Sequence, residues 1–141
     1  MTVPALEVRN CRWIAVPGAK DARGQVNFLE VDKGLDFIPR RVFWLHNIAP
    51  GQWRGRHGRR KTELVLLAVH GGCRVHLDDG LAKETVTLDD PARALHVATW
   101  IWHELTDFTP EAAVVVLAST PYEEAEYLRD YEVFRREAAA R

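Results

Sequence analysis

Between residues 25 and 119 the chain repeatedly breaks short β-prone runs with turn chemistry, and this spacing constrains the fold more than any other feature. Apolar or alternating runs fall at Gln25–Val31, Arg41–Ile48, Thr62–His70, Cys73–Leu77, Glu84–Leu88, Ala94–Trp102 and Ala112–Ser119. Pro50-Gly51, Gly71-Gly72 and Asp78-Asp79-Gly80 punctuate them. Asp-Gly tolerates the positive φ angles of a type I′ turn, so a tight hairpin is expected there. About seven or eight such strands at this spacing predict an antiparallel sandwich or barrel rather than alternating β and α units.

The pattern changes after Pro121. From Tyr122 to Arg136 there is no Gly or Pro, and Tyr127, Leu128, Tyr131 and Phe134 form an apolar stripe at helical spacing. Ser119 and Thr120 before Pro121, with acids following, predict a helix over about residues 121–137. The expected organisation is one domain over residues 1–141, with a β core at about 20–120. A chain of 141 residues buries roughly two-thirds of its surface on folding, enough for a core without disulfide staples.

Nineteen basic and twenty acidic residues leave a net charge of -1. This removes a whole-protein electrostatic drive toward nucleic acid polymers or anionic membranes, and mutual repulsion is too weak to oppose self-association. Two cysteines, Cys11 and Cys73, make no disulfide framework. The N-terminal MTVPALEVRN lacks the apolar core of a signal peptide, and the apolar run at residues 112–118 is too short to span a bilayer. A cytoplasmic protein with reduced thiols is expected.

Of the six histidines, His46, His76 and His96 fall in strand-like runs and His70 beside a turn, where hydrogen-bonded or solvated histidines are ordinary. His57 and His103 stand apart. Gly51, five residues, His57, one residue, Arg59, three residues and Glu63 follow the spacing of the first cupin motif, and a histidine about forty residues on opens the second. Alternation places positions 57 and 59 on one strand face, and a facing hairpin would bring His103 beside them. Metal-binding cupins use a histidine at the position held here by Arg59, a cation that cannot be a ligand. His57, Glu63 and His103 could form a two-histidine, one-carboxylate set, but Arg59 would repel a divalent ion, so no metal is expected.

Arg54, Arg56, Arg59, Arg60 and Lys61 crowd one stretch, and Arg40 and Arg41 open another strand. This is either a solvated cationic loop or an anion site whose planar guanidinium forks suit phosphate oxygens. Trp53 and Trp102 flank the two histidines and could line a pocket for a ring.

Several stretches together resemble the cupin-type sugar 3,4-ketoisomerases that act on dTDP-4-keto-6-deoxyglucose. They are Arg23-Gly24, Arg54-Gly55-x-His57, Gly72-Cys73-Arg74-Val75-x-Leu77-Asp78-Asp79-Gly80, Trp102-His103-Glu104-x-x-Asp107-Phe108 and Leu117-Ala118-Ser119, followed by Tyr122-x-Glu-x-x-Tyr127-Leu-Arg129-Asp130-Tyr131-x-x-Phe134. The resemblance implies an all-β cupin jelly roll with a C-terminal helix, without metal or other cofactor. It also implies a homodimer, often with exchanged N-terminal strands, and a dTDP-linked keto sugar as ligand. The implied reaction moves the carbonyl from C4 to C3 through an enediol. On that reading His57 is the acid/base and Arg59 stabilises the oxyanion. Arg41, Phe43, Arg54, Lys61, Glu63, Trp102 and His103 contact the substrate.

The chain departs from the family pattern Arg-Gly-x-His-x-His-Lys, because Arg59 replaces the second histidine, to which the main base role is usually assigned. The usual Arg-Val-Tyr-Tyr reads Arg41-Val-Phe43-Trp44. Guanidinium stays protonated and is a poor base. Three readings stay open at this level. The chain is an isomerase that relies on His57, a nucleotide-sugar- or partner-binding module without turnover, or an epimerase on a related nucleotide sugar.

Overall fold

A computed structural model describes residues 5–141. The strands are β1 Cys11–Ala15, β2 Gly18–Asp21, β3 Gly24–Asn27, β4 Glu30–Val31, β5 Gly34–Leu35, β6 Arg41–His46, β7 Arg54–Arg59, β8 Leu64–His70, β9 Cys73–Asp78, β10 Lys83–Leu88, β11 Arg93–Val97, β12 Trp102–Thr106, β13 Ala113–Ala118 and β14 Tyr127–Leu128; helix α1 spans Tyr131–Ala139. Two five-stranded antiparallel sheets form the body, ordered β1-β11-β8-β13-β6 and β10-β9-β12-β7-β14. This is the antiparallel sandwich expected from the run of short strands, in the jelly-roll form that the family resemblance implies.

The burial pattern follows from alternation. In β13, Val114, Val116 and Ala118 point into the core between the sheets, where they meet Leu64, Leu66, Val75, Leu77, Leu95 and Leu105. Strand β8 is largely buried from Leu64 to Ala68 because its other face is also covered there. There Val65 packs with Ile14, Val16, Leu35 and Ala94. A strand covered on both sides reads as a continuous apolar run, which is why Thr62–His70 lacks alternation. Cys11 and Cys73 are both buried and free.

Four sequence expectations shift. Strand β1 pairs with β11, so the sheet begins before residue 20. The run Ala94–Trp102 is two strands. The chain turns at Trp100, whose φ of 61° is left-handed and whose N–H donates to the Arg59 carbonyl. The Asp-Gly turn is not a two-residue type I′ hairpin, because Asp78 pairs with Lys83 and only Gly80 has positive φ in the four-residue loop. Buried Asp79 organises that loop by accepting hydrogen bonds from the backbone N–H groups of Leu81 and Ala82.

The C-terminal helix is shorter than expected and starts ten residues later. Residues Glu124–Glu126 form one 3-10 turn, and Tyr127 and Leu128 pair with Arg59 and Gly58 of β7. Edge pairing with a sheet satisfies backbone groups that a helix would otherwise have to satisfy, and it overrides modest helix propensity. The side chain of Asp130 then caps α1, accepting from the N–H groups of Glu132 and Val133. Phe134 and Ala138 of α1 pack with Leu128, Trp100 and Trp102.

Candidate active site

Strands β7 and β12 lie side by side with His57 opposite His103. A bulge on β7 interrupts the pairing, for Glu104 lies opposite Gly55, one residue short of regular register. Gly55 (φ 90°) and Arg56 (φ 64°) occupy left-handed backbone at this bulge. A Cβ on residue 55 would stand 2.8 Å from the His103 carbonyl oxygen, so only glycine permits the two strands to approach so closely. The extra residue re-aims the strand. Arg54, His57 and Arg59 all face one cavity, while Arg56 turns outward to Glu104 (2.9 Å) and stacks on Trp53.

The cavity measures about 760 Å³ and opens between the two sheets. Its walls come from Arg41 and Phe43 on β6, the inward residues of β7, Leu64 and Leu66 on β8, His103 and Leu105 on β12, and Val116 on β13. Tyr122, Tyr127 and Arg129 close the remaining side. A largely apolar concavity with a few convergent polar groups is the usual form of a small-molecule site.

His57 and His103 meet edge to face, with ring centroids 4.9 Å apart, and the Tyr127 ring lies 4.8 Å from His57. Neither ring nitrogen of His57 has a hydrogen-bond partner among the described residues. Burial, then the positive charges of Arg59 and Arg129, push His57 down to about 4. Burial and Arg59 hold His103 well below the ordinary imidazole range. Both rings are therefore neutral near pH 7, and a neutral imidazole can accept a proton.

Arg59 is 5% exposed. One of its terminal nitrogens donates to the Tyr127 hydroxyl at 3.2 Å. Its Nε stands 4.0 Å from the Glu126 carboxylate, close enough to feel the charge but too far to hydrogen-bond. Nε and the other terminal nitrogen are buried without an acceptor among the described residues, as are two nitrogens of Arg41. Buried donors left unpaired cost free energy unless water or a ligand accepts from them, and donors that line a cavity can be met by an anionic ligand there.

Of the residues singled out from sequence, the structure brings together Arg41, Phe43, Trp53, Arg54, His57, Arg59 and His103. It places three elsewhere. Lys61 lies beyond the end of β7, with its ammonium at 3.3 Å from Glu123. Glu63 accepts from or donates to no cavity group; its carboxylate is 2.9 Å from Nε2 of His96. It therefore does not complete a ligand set with His57 and His103, and among the described residues no three His, Cys, Asp or Glu side chains cluster as a metal set. Trp102 points to the opposite face of its strand and packs on Tyr131 and Phe134. Alternation on β12 fixes this, because residue 103 faces the cavity. Tyr122, Tyr127 and Arg129 are the cavity residues that helical periodicity hides. The signal for them was the Tyr122-x-Glu-x-x-Tyr127-Leu-Arg129 stretch of the family resemblance.

A jelly roll whose inner cavity presents neutral histidine beside buried arginine is a cupin without the usual metal-ligand set. The chain belongs to the family described as "FdtA: WxcM-like, C-terminal", whose model matches residues 9–139. It is 39% identical over 116 residues to the TDP-4-oxo-6-deoxy-α-D-glucose-3,4-oxoisomerase of Aneurinibacillus thermoaerophilus, covering 82% of this chain and 84% of that one. Among solved structures it is similar to a 3,4-ketoisomerase from Helicobacter canadensis (TM-score 0.88, 31% identity, 92% of this chain and 98% of the other). It is also similar to the QdtA 3,4-ketoisomerase of Thermoanaerobacterium thermosaccharolyticum, a double mutant in complex with TDP (TM-score 0.92, 28% identity, 94% and 96% covered).

Proposed function

We propose that the protein is a TDP-sugar 3,4-ketoisomerase that moves the keto group of a TDP-4-keto-6-deoxyhexose from C4 to C3 through an enediol. The relatives named for this reaction support the reading. The observation that carries it in this chain is the neutral His57 facing the cavity beside the open donors of Arg59.

The C3 hydrogen is acidified by the adjacent ketone. His57 removes it, and the same imidazolium returns a proton at C4. Negative charge that develops on the sugar oxygens falls beside Arg59, a fixed and desolvated cation, where such charge is stabilised without reorganisation. Arg59 is thus an electrostatic group rather than a base. Arg41 and Arg54 supply donors for the diphosphate, and Phe43 and His103 shape the sugar pocket. C3 is oxidised as C4 is reduced, so the conversion balances without a cofactor. A ligand carrying negative charge also offsets the two cations that depress His57, raising its basicity in the complex.

Lys61, Glu63 and Trp102 take supporting roles in this proposal: Lys61 and Glu63 frame the turn after β7, and Trp102 seats α1 behind it. The proposed working form is a cytoplasmic homodimer. No helix among the described residues is long and apolar enough to cross a membrane. Exposed Val42 and Trp44 on edge strand β6, with Val26 and Phe28 of the β2–β3 hairpin region, offer apolar surface for a second copy.

The test is proton exchange followed by NMR. With TDP-4-keto-6-deoxyglucose in deuterated water, the protein is expected to produce the 3-keto sugar, with label at C4 of the product and at C3 of recovered substrate. Binding of TDP without exchange would instead support the binding-module reading, and label at C3 or C5 with inversion and no 3-keto product would support the epimerase.

A further inference from the structure

A ketone shift from C4 to C3 moves two hydrogens, not one. The carbon-bound hydrogen leaves C3 and one arrives at C4. The oxygen-bound hydrogen leaves O3 and one arrives at O4. His57 accounts for the carbon-bound transfer. The oxygen-bound transfer needs a second group that can give a proton and take one back, and Arg59 cannot, since its guanidinium does not ionise at working pH.

We propose that Tyr127 is that second group, a catalytic acid/base acting on the sugar oxygens; the proposal rests on the ketoisomerase reading of the same site. In the first half-reaction His57 takes the proton from C3 as the Tyr127 hydroxyl gives its proton to O4. The C3–H electron pair becomes the C3–C4 double bond and the C4 carbonyl π pair takes the Tyr127 proton, which gives a neutral enediol and leaves an imidazolium and a phenolate. In the second half the imidazolium gives its proton to C4 and the phenolate takes the proton from O3. The electron pair of that O–H bond becomes the C3 carbonyl. Both side chains return to their starting states, and no outside oxidant or reductant enters.

Elimination among the cavity groups points to this residue. Arg41, Arg54, Arg59 and Arg129 can donate hydrogen bonds but not release protons. Neutral His57 and His103 have no proton to give in the first step short of forming imidazolate. Phe43 has no hydroxyl, which leaves the two cavity tyrosines, Tyr122 and Tyr127. The Tyr122 hydroxyl is committed to the Glu124 carboxylate. The Tyr127 hydroxyl instead accepts from Arg59 at 3.2 Å. An oxygen that accepts from a guanidinium keeps its own proton free, and that proton meets no acceptor among the described residues.

The surroundings suit the anion that must form between the two half-reactions. Arg59 and Arg129 stand over the Tyr127 ring, each 4.8 Å from its centroid. Arg59 is already hydrogen-bonded to the phenolic oxygen. The ring lies 4.8 Å from His57, so one sugar edge can meet both groups. Pairing of Tyr127 with Arg59 across β14 and β7 fixes the residue at the sheet edge rather than on a free loop.

The experiment compares wild type with Tyr127→Phe on TDP-4-keto-6-deoxyglucose in deuterated water, with TDP affinity and thermal unfolding measured on both. The expected result is a kcat lower by about 10²–10⁴-fold, with TDP affinity changed no more than a few-fold. A kcat within a few-fold of wild type would overturn the proposal while leaving the ketoisomerase reading intact. A wild type that gives neither exchange at C3 nor 3-keto product would overturn both. To separate proton transfer from mere positioning of Arg59, 3-fluorotyrosine is placed at position 127; it keeps the ring and the hydrogen bond but is more acidic. The alkaline limb of kcat/KM is expected to move to lower pH, and an unmoved limb overturns the proposal even where Tyr127→Phe fails to fold or to bind TDP.

Discussion

The cavity has two unlike walls. On one, His57, Arg59 and His103 stand on adjacent hydrogen-bonded strands; Arg59 and His103 are each 5% exposed. On the other, Tyr122 and Arg129 belong to a short 3-10 turn and its flanks and are mostly exposed. Charge on the first wall is desolvated and fixed, which makes it strong and costly to disturb. Charge on the second is wet and held by surface ion pairs, so it is weak and adjustable. On the proposed ketoisomerase reading, the first wall serves the bond-making step and the second admits and releases a charged ligand. Tyr127 sits where they join.

Breaking the first wall at its base gives the largest expected effect. His57→Gln removes proton transfer while keeping a polar side chain. The expected loss in kcat is about 10²–10⁴-fold, with TDP binding nearly unchanged, measured by steady-state kinetics and calorimetric titration. A similar loss in TDP affinity would show that His57 holds the nucleotide instead.

Arg59→Met comes next and tests how the wall sets basicity. It removes the oxyanion partner, with an expected loss of about 10²–10³-fold in kcat. It also removes one of two cations that depress His57. The wild-type acid limb of kcat/KM, which reports free enzyme, is expected near pH 4, because activity is lost as pH falls through the value of about 4 at which His57 takes up a proton. In the variant that limb moves up, but only part of the way to the ordinary 6.5, because burial is the larger cause of the depression. Folding stability carries the same sign. Between pH 6.5 and 4 the unfolded chain binds a proton that folded His57 refuses, so wild-type stability falls as pH drops through that window. A limb that does not move in Arg59→Met would mean that burial alone sets the imidazole.

How the wall was legible in sequence differs residue by residue. His57, Arg59 and His103 follow from strand alternation and motif spacing, which are local rules. The inward turn of Arg54 does not follow from alternation with His57, since the two differ by an odd number of residues. It depends on the bulge at Gly55 and Arg56, which a hydrophobic pattern cannot show. Tyr127 illustrates the opposite failure. The spacing of Tyr127, Leu128, Tyr131 and Phe134 matches a helix, yet only the latter two are in one. The free edge of β7 captured the first two, and edge pairing is a long-range event that no window of neighbouring residues contains. Glu63 was placed near the cavity by motif spacing, but β7 ends at Arg59, so the alternation that would carry it inward stops four residues short.

The seam between the walls gives a smaller and purely structural effect. Gly58 lies on β7 under α1, and a Cβ there would stand 2.9 Å from Cδ1 of Phe134. Phe134 is fully buried and has little room to yield. Gly58→Ala is expected to destabilise by about 1–3 kcal/mol through overpacking, read as a lower Tm. Activity should fall only as far as α1 and β14 are displaced together. Full stability would mean that the C-terminal layer shifts freely over the sheet, and that Tyr127 is less fixed than its pairing implies.

The second wall should give the smallest effect, with a distinctive sign. Glu124 holds Arg129 in a two-point pair, at 2.8 and 2.9 Å. That carboxylate stands where a ligand phosphate would compete for the same guanidinium. Glu124→Gln keeps the side-chain shape and removes the competing charge. Removing an exposed ion pair changes stability little, so Tm should hold. TDP should bind a few-fold more tightly at low ionic strength, and the gain should shrink as salt is added, because salt screens interactions between exposed charges. Weaker binding in the variant would reverse the assignment of this wall. The pair would then matter because it holds Arg129 in place, and the exposed wall would owe its function to order, as the buried one does.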